Sequence, residues 1–82
     1  MTKVFTDVEV FLNSVGQTSR QENAKQAELY LKLIEEEFNE LMDAYHQNND
    51  AEILDACFDL IWVVVGYMHS RGWDCEASWE IS

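Results

Sequence analysis

The stretch AELYLKLIEEEFNELMDAYH, residues 27–46, decides the fold. Within it Ala27, Leu31, Ile34, Phe38, Leu41 and Tyr45 recur at alternating spacings of four and three, the period of an α-helix that packs along one seam. The helix is expected to run from about residue 21 to residue 46. Beside the seam lies a second stripe, Tyr30, Leu33, Glu37, Glu40 and Ala44, in which two acids interrupt an apolar line. Three residues apart on a helix, their carboxylates point the same way.

Residues 47–50 form a short polar break, and Asp50 is placed to cap a helix over residues 51–71. Two long helices joined so tightly should lie antiparallel. The second of them is apolar on every face between residues 60 and 68, as expected at the centre of a bundle, and Gly66 inside it permits a close helix approach. Upstream, Thr6 or Asp7 is placed to cap a helix ending at Gly16, with Val8, Phe11, Leu12 and Val15 on one face. Downstream, Gly72 stops the third helix and Asp74 caps a fourth, which carries Ala77, Trp79 and Ile81. The expected architecture is all-α: one domain over residues 1–82, an antiparallel bundle of about four helices that oligomerises through its long central helices.

Sixteen acids against five bases give 82 residues a net charge of −11, which repels nucleic-acid polymers and anionic membranes. A phosphorylated small molecule remains accessible to such a chain when divalent cations bridge the two. The apolar run over residues 60–68 is too short to span a bilayer, which takes about 20 residues. Cys57 and Cys75 form no metal-binding or disulfide pattern and read as buried free thiols of a cytoplasmic protein.

The chemistry lies in the acids. On the third helix Glu52, Asp55, Asp59, Trp62 and Gly66 share a line, and Asp59 interrupts an otherwise apolar stretch over residues 56–68. An aspartate in that setting is not expected to face bulk water. Burying close carboxylates is costly unless they are protonated or a cation neutralises them, and neither line carries an Arg or Lys. Hard oxygen ligands without His or Cys suit Mg²⁺ or Mn²⁺, whose shells are completed by water and substrate phosphates. Such a site suits phosphate-ester or anhydride chemistry.

Glu35 and Glu36 point away from the Glu37–Glu40 line, although Glu36 reaches the edge of such a site. Asp43 and His46 have the spacing of half a di-iron motif, but a single pair at a helix end is weak. Trp62, Tyr67 and Trp73 are read as core aromatics rather than a nucleobase platform. A different class of function is a non-catalytic acidic helical module that binds a basic partner.

The segments LIEEEFNEL (residues 33–41) and AEILDACFDLIWVVVGYMHSRGWD (51–74), with DVEVFLNSVGQ (7–17), resemble the MazG-like all-α nucleoside triphosphate pyrophosphohydrolases and their relatives of the phosphoribosyl-ATP pyrophosphohydrolase type. The resemblance implies cleavage of a nucleoside triphosphate to a monophosphate and pyrophosphate, in a homodimer or homotetramer. It implies Mg²⁺ held by the ExxE pair Glu37 and Glu40 together with acids of the next helix. There the family pattern ExxD ends on Asp59, but Ala56 stands in place of its glutamate, and Asp55 is the substitute. Glu36 becomes a ligand or the base that orients the attacking water. Family members continue past the last helix with an Asn-Leu-Ser-Lys-like segment that contacts phosphates; this sequence reaches only Ser82 there.

Overall fold

A computed structural model describes residues 2–81. Among these residues four helices succeed one another: α1 (Lys3–Ser14), α2 (Ala24–His46), α3 (Asp50–Ser70) and α4 (Cys75–Ile81). The all-α expectation holds, since the described residues contain no strand and only an isolated bridge between Glu22 and Arg71. Met1 and Ser82 lie outside the described residues.

The helix ends obey local chemistry. Asn23 caps α2 by accepting from the Gln26 N–H at 3.1 Å, and Asn49 caps α3 by accepting from the Glu52 N–H at 3.2 Å. The α2 start is therefore three residues later than expected, and the α3 cap falls on Asn49 rather than Asp50. Asp74 caps α4 as expected, accepting from the Ala77 N–H at 3.1 Å. Gly16 and Gly72 end α1 and α3 with positive φ, and in each case the residue after glycine donates back into the helix: Gln17 to Leu12 at 2.8 Å, Trp73 to Met68 at 3.3 Å. Helix α1 begins at Lys3, not at residue 6 or 7. Its first turn is tied from a distance, by the Thr2 N–H donating to Glu76 of α4 at 2.6 Å, which local sequence does not disclose.

The antiparallel α2–α3 hairpin is the body of the fold. Its register is fixed at one end by a buried polar network: the Asn23 N–H donates to the Ser70 carbonyl at 2.8 Å, and Gln26 Nε2 donates to Ser70 Oγ at 2.9 Å and to the Thr18 carbonyl at 2.7 Å. One turn further in, the Tyr30 ring packs directly on Gly66, the close approach the glycine was expected to allow. Helix α1 lies on this pair with Phe5, Val8 and Leu12 buried, and Phe5 accepts at its carbonyl from buried His69, at 3.0 Å from Nε2. Val15, placed on the inner face of α1 by the sequence pattern, is 53% exposed; Phe11 stands at the rim, edge-on to Trp62.

The packed face of α2 differs from the seam read in the sequence. Tyr30 and Ala44 are buried and Leu33 and Glu37 half-buried, so the second stripe faces α3. Of the seam, Ala27 is buried and Ile34 and Leu41 partly so, whereas Leu31, Phe38 and Tyr45 are 50%, 50% and 62% exposed. Periodicity identifies apolar stripes but not which of two neighbours meets the chain's own helix. Nor is α3 enclosed, because Ile61 and Val64 remain exposed in the single chain.

Candidate metal centre

Seven residues separate Tyr30 from Glu37 along α2, and the same distance separates Gly66 from Asp59 along α3. The register set by the Tyr30–Gly66 contact therefore carries Glu37 opposite Asp59, two turns further along the hairpin. Glu40, one turn on from Glu37, completes the group. One carboxylate oxygen from each of Glu37, Glu40 and Asp59 lies within 4.8 Å of the other two.

Glu37 is half-buried, and its Oε2 is shielded from solvent with no hydrogen-bond partner among the described residues. Its carboxyl is pushed above the ordinary value of 4.5, first by burial and then by the Glu40, Asp59 and Glu36 carboxylates. Asp59 is likewise raised above 3.8 by partial desolvation, then by Asp55 and Glu40. As a residue Asp59 is exposed, contrary to the expectation from its apolar neighbours. Those neighbours turn to other faces of α3, and the groove between the two helices leaves the carboxylate open on one side.

The remaining acids take lesser places. Asp55 lines a cleft of about 320 Å³ that continues from the cluster along the hairpin, with Glu40, Asp43, Glu52 and Asp59. Glu36 stands on the solvent side of α2, outside the close group but near enough to raise Glu37. Glu52 joins Asp55 and Asp59 in the cleft, as their shared line on α3 suggested, whereas Asp43, read in the sequence only beside His46, was not connected with these acids; the available signal was its spacing of three from Glu40. Neither histidine joins the acids: His46 is exposed at the end of α2 and His69 is buried against α1. Cys57 and Cys75 are free thiols, half-buried and buried. Trp62 and Tyr67 pack against the core, while Trp73 is 47% exposed and carries the Arg71 guanidinium 4.9 Å from its ring centroid.

A divalent cation fits this donor set. Three hard carboxylate oxygens converge, one shielded oxygen lacks any donor, and among the described residues the three ion pairs (Lys3–Asp7, Arg20–Glu9 and Arg71–Glu22) bring no cationic side chain to the cluster. Among the described residues no helix is long and apolar enough to cross a membrane.

The match to a family model, set beside the all-α fold, places the chain in the MazG-like all-α pyrophosphohydrolase superfamily. Within it, the chain belongs to the phosphoribosyl-ATP pyrophosphohydrolase (PRA-PH) family, whose model matches residues 9–81. Over 45 residues the sequence is 53% identical to an uncharacterized protein of Acanthamoeba polyphaga mimivirus, a match taking in 55% of this chain and 18% of that protein. The chain accordingly spans less than a fifth of that relative's length. No solved structure matches it.

Proposed function

We propose that this chain is a Mg²⁺-dependent nucleoside triphosphate pyrophosphohydrolase, with Glu37, Glu40 and Asp59 as metal ligands and Asp55 as a further ligand from the adjoining cleft. The observation that carries the reading is the convergence of the three carboxylates within 4.8 Å around a shielded, unpartnered Glu37 oxygen. When bound, Mg²⁺, or Mn²⁺ in its place, supplies positive charge that lets a polyphosphate approach a chain of net charge −11.

The chain's own residues do the rest. Glu36, at the solvent edge of the cluster, accepts a proton from the attacking water as its oxygen bonds to phosphorus. The α,β anhydride bond breaks, pyrophosphate leaves with the bonding electron pair, and the nucleoside monophosphate remains. Glu37 and Asp59, raised above their ordinary values, are groups whose charged forms are disfavoured until a cation is present. That couples loading of the site to its ionisation. The reading includes a homodimer or homotetramer as the working form and a cytoplasmic setting, with a nucleotide rather than a nucleic-acid polymer or membrane as partner.

The family's description names phosphoribosyl-ATP, itself a nucleoside triphosphate derivative with the same anhydride, and this is the second substrate reading. Pyrophosphate release measured over a panel of ribo- and deoxyribonucleoside triphosphates and phosphoribosyl-ATP, with Mg²⁺, Mn²⁺ or chelator, separates the two. Turnover of the simple triphosphates supports the proposal, turnover of phosphoribosyl-ATP alone moves the assignment to the second reading, and silence with every substrate and metal refutes both.

A further inference from the structure

Gln17 has one end of its carboxamide fixed and the other on offer. Its Oε1 accepts from the Tyr30 hydroxyl at 2.8 Å, and Tyr30 is buried with its ring packed on Gly66. That bond decides which way the amide faces, oxygen towards Tyr30 and Nε2 away from it. Gln17 is partly exposed, and its Nε2 bonds to no other described residue. Nor is Nε2 shut off from solvent, as the partnerless Glu37 Oε2 and His69 Nδ1 are. An amide held in this way presents only N–H donors to whatever approaches it.

Tyr30 stands seven residues before Glu37 on the same face of α2, about 10 Å along the axis. A nucleoside bridges such a span between its 5′ oxygen and its base. The two directions away from the carboxylates differ in chemistry. Towards the α2–α3 turn the cleft is lined by Asp43, Glu52 and Asp55 and by no aromatic side chain, which suits phosphates carried by cations. Towards α1 the next turn of each helix brings Leu33 and Trp62, both partly buried, with Phe11 edge-on to Trp62 at 5.6 Å and 40% exposed. That end suits a base, and it is the end at which Gln17 stands.

We propose that Gln17 selects the nucleobase at the carboxylate site by donating from Nε2 to an exocyclic carbonyl, with Tyr30 as the residue that positions the amide. The inference rests on the pyrophosphohydrolase reading and narrows its substrates to triphosphates of oxo bases such as uracil and hypoxanthine. Cytosine and adenine carry an amino group in place of that carbonyl, so a donor meets a donor and the bond is lost.

The test is calorimetric binding of non-cleavable α,β-methylene triphosphates with Mg²⁺, in the matched pairs uracil against cytosine and hypoxanthine against adenine. The unmodified chain should bind the oxo member of each pair about tenfold more tightly, the worth of one hydrogen bond. Gln17→Glu keeps the acceptor for Tyr30 but replaces the donor with a second acceptor, and should abolish or reverse the preference. Tyr30→Phe keeps the ring on Gly66, frees the amide to turn, and should narrow the preference in a chain whose helical circular dichroism is retained. Equal binding within both pairs by the unmodified chain, or an undiminished preference in folded Gln17→Glu, overturns the inference. Triphosphate turnover without base preference overturns it while leaving the pyrophosphohydrolase reading intact, whereas no binding of any analogue and no turnover overturns both.

Discussion

The Tyr30 ring occupies the space in which a side chain on residue 66 would stand: a Cβ there would lie 2.7 Å from Tyr30 Cδ1. Tyr30 cannot swing aside freely, because it is buried and its hydroxyl donates to Gln17 Oε1 at 2.8 Å. Gly66→Ala therefore gains helix propensity but overpacks a contact that sets the hairpin register. The net expectation is a loss of about 1–2 kcal/mol in urea unfolding. An unchanged or higher midpoint would show that the helices separate easily at this point.

Gln26→Ala removes four hydrogen bonds at once, leaving the Thr18 N–H, hydroxyl and carbonyl and Ser70 Oγ without that side chain. Stranding buried polar groups costs about 1–3 kcal/mol. The same unfolding experiment should show a loss in that range, together with faster hydrogen exchange in the residue 17–23 connection. A neutral substitution would mean that water replaces the glutamine without penalty.

These two contacts explain how far the sequence can be read. Glu37 and Glu40 share a direction by spacing alone, and Asp59 is conspicuous among apolar neighbours, so the acids of the site are legible. That Glu37 faces Asp59 depends on Tyr30 meeting Gly66 and on Gln26 meeting Ser70, contacts between residues some forty positions apart that no local pattern encodes. The ends of α1 and α3 are legible because Gly16 and Gly72 act locally. The start of α1 is not, because Glu76 ties it from α4. The α2 seam reads as part of the chain's own core because the period is the same whether the partner helix is internal or belongs to another copy.

The acid cluster has a signed pH signature. Glu37 and Asp59 have raised values in the folded chain, so between the ordinary value and the raised one the folded state holds protons that the unfolded state has released. Without metal, their contribution to stability falls as pH climbs through that window, which opens at 4.5 for Glu37 and 3.8 for Asp59. Glu37→Gln removes the charge and its repulsion. In chelator, the variant should gain on the unmodified chain as pH rises towards neutrality and match it more closely in acid. The opposite trend would mean that the carboxylates are not in mutual repulsion.

A cation that binds the folded cluster and not the unfolded chain stabilises by mass action, about 2.7 kcal/mol at a hundredfold excess over its dissociation constant. Mg²⁺ or Mn²⁺ at millimolar concentration should therefore raise the thermal midpoint, and Asp59→Asn should lose most of that rise. An equal rise in the variant would assign the effect to general screening of the acidic surface.

The most direct test is chromatography of the products formed from a nucleoside triphosphate that the chain turns over with Mg²⁺, run beside Asp59→Asn. The expected result is monophosphate and pyrophosphate in equal amounts from the unmodified chain, and no turnover from an Asp59→Asn variant that retains its helical circular dichroism. Diphosphate with orthophosphate, or full activity in the folded variant, would contradict the assignment of α,β cleavage to the Glu37, Glu40 and Asp59 centre.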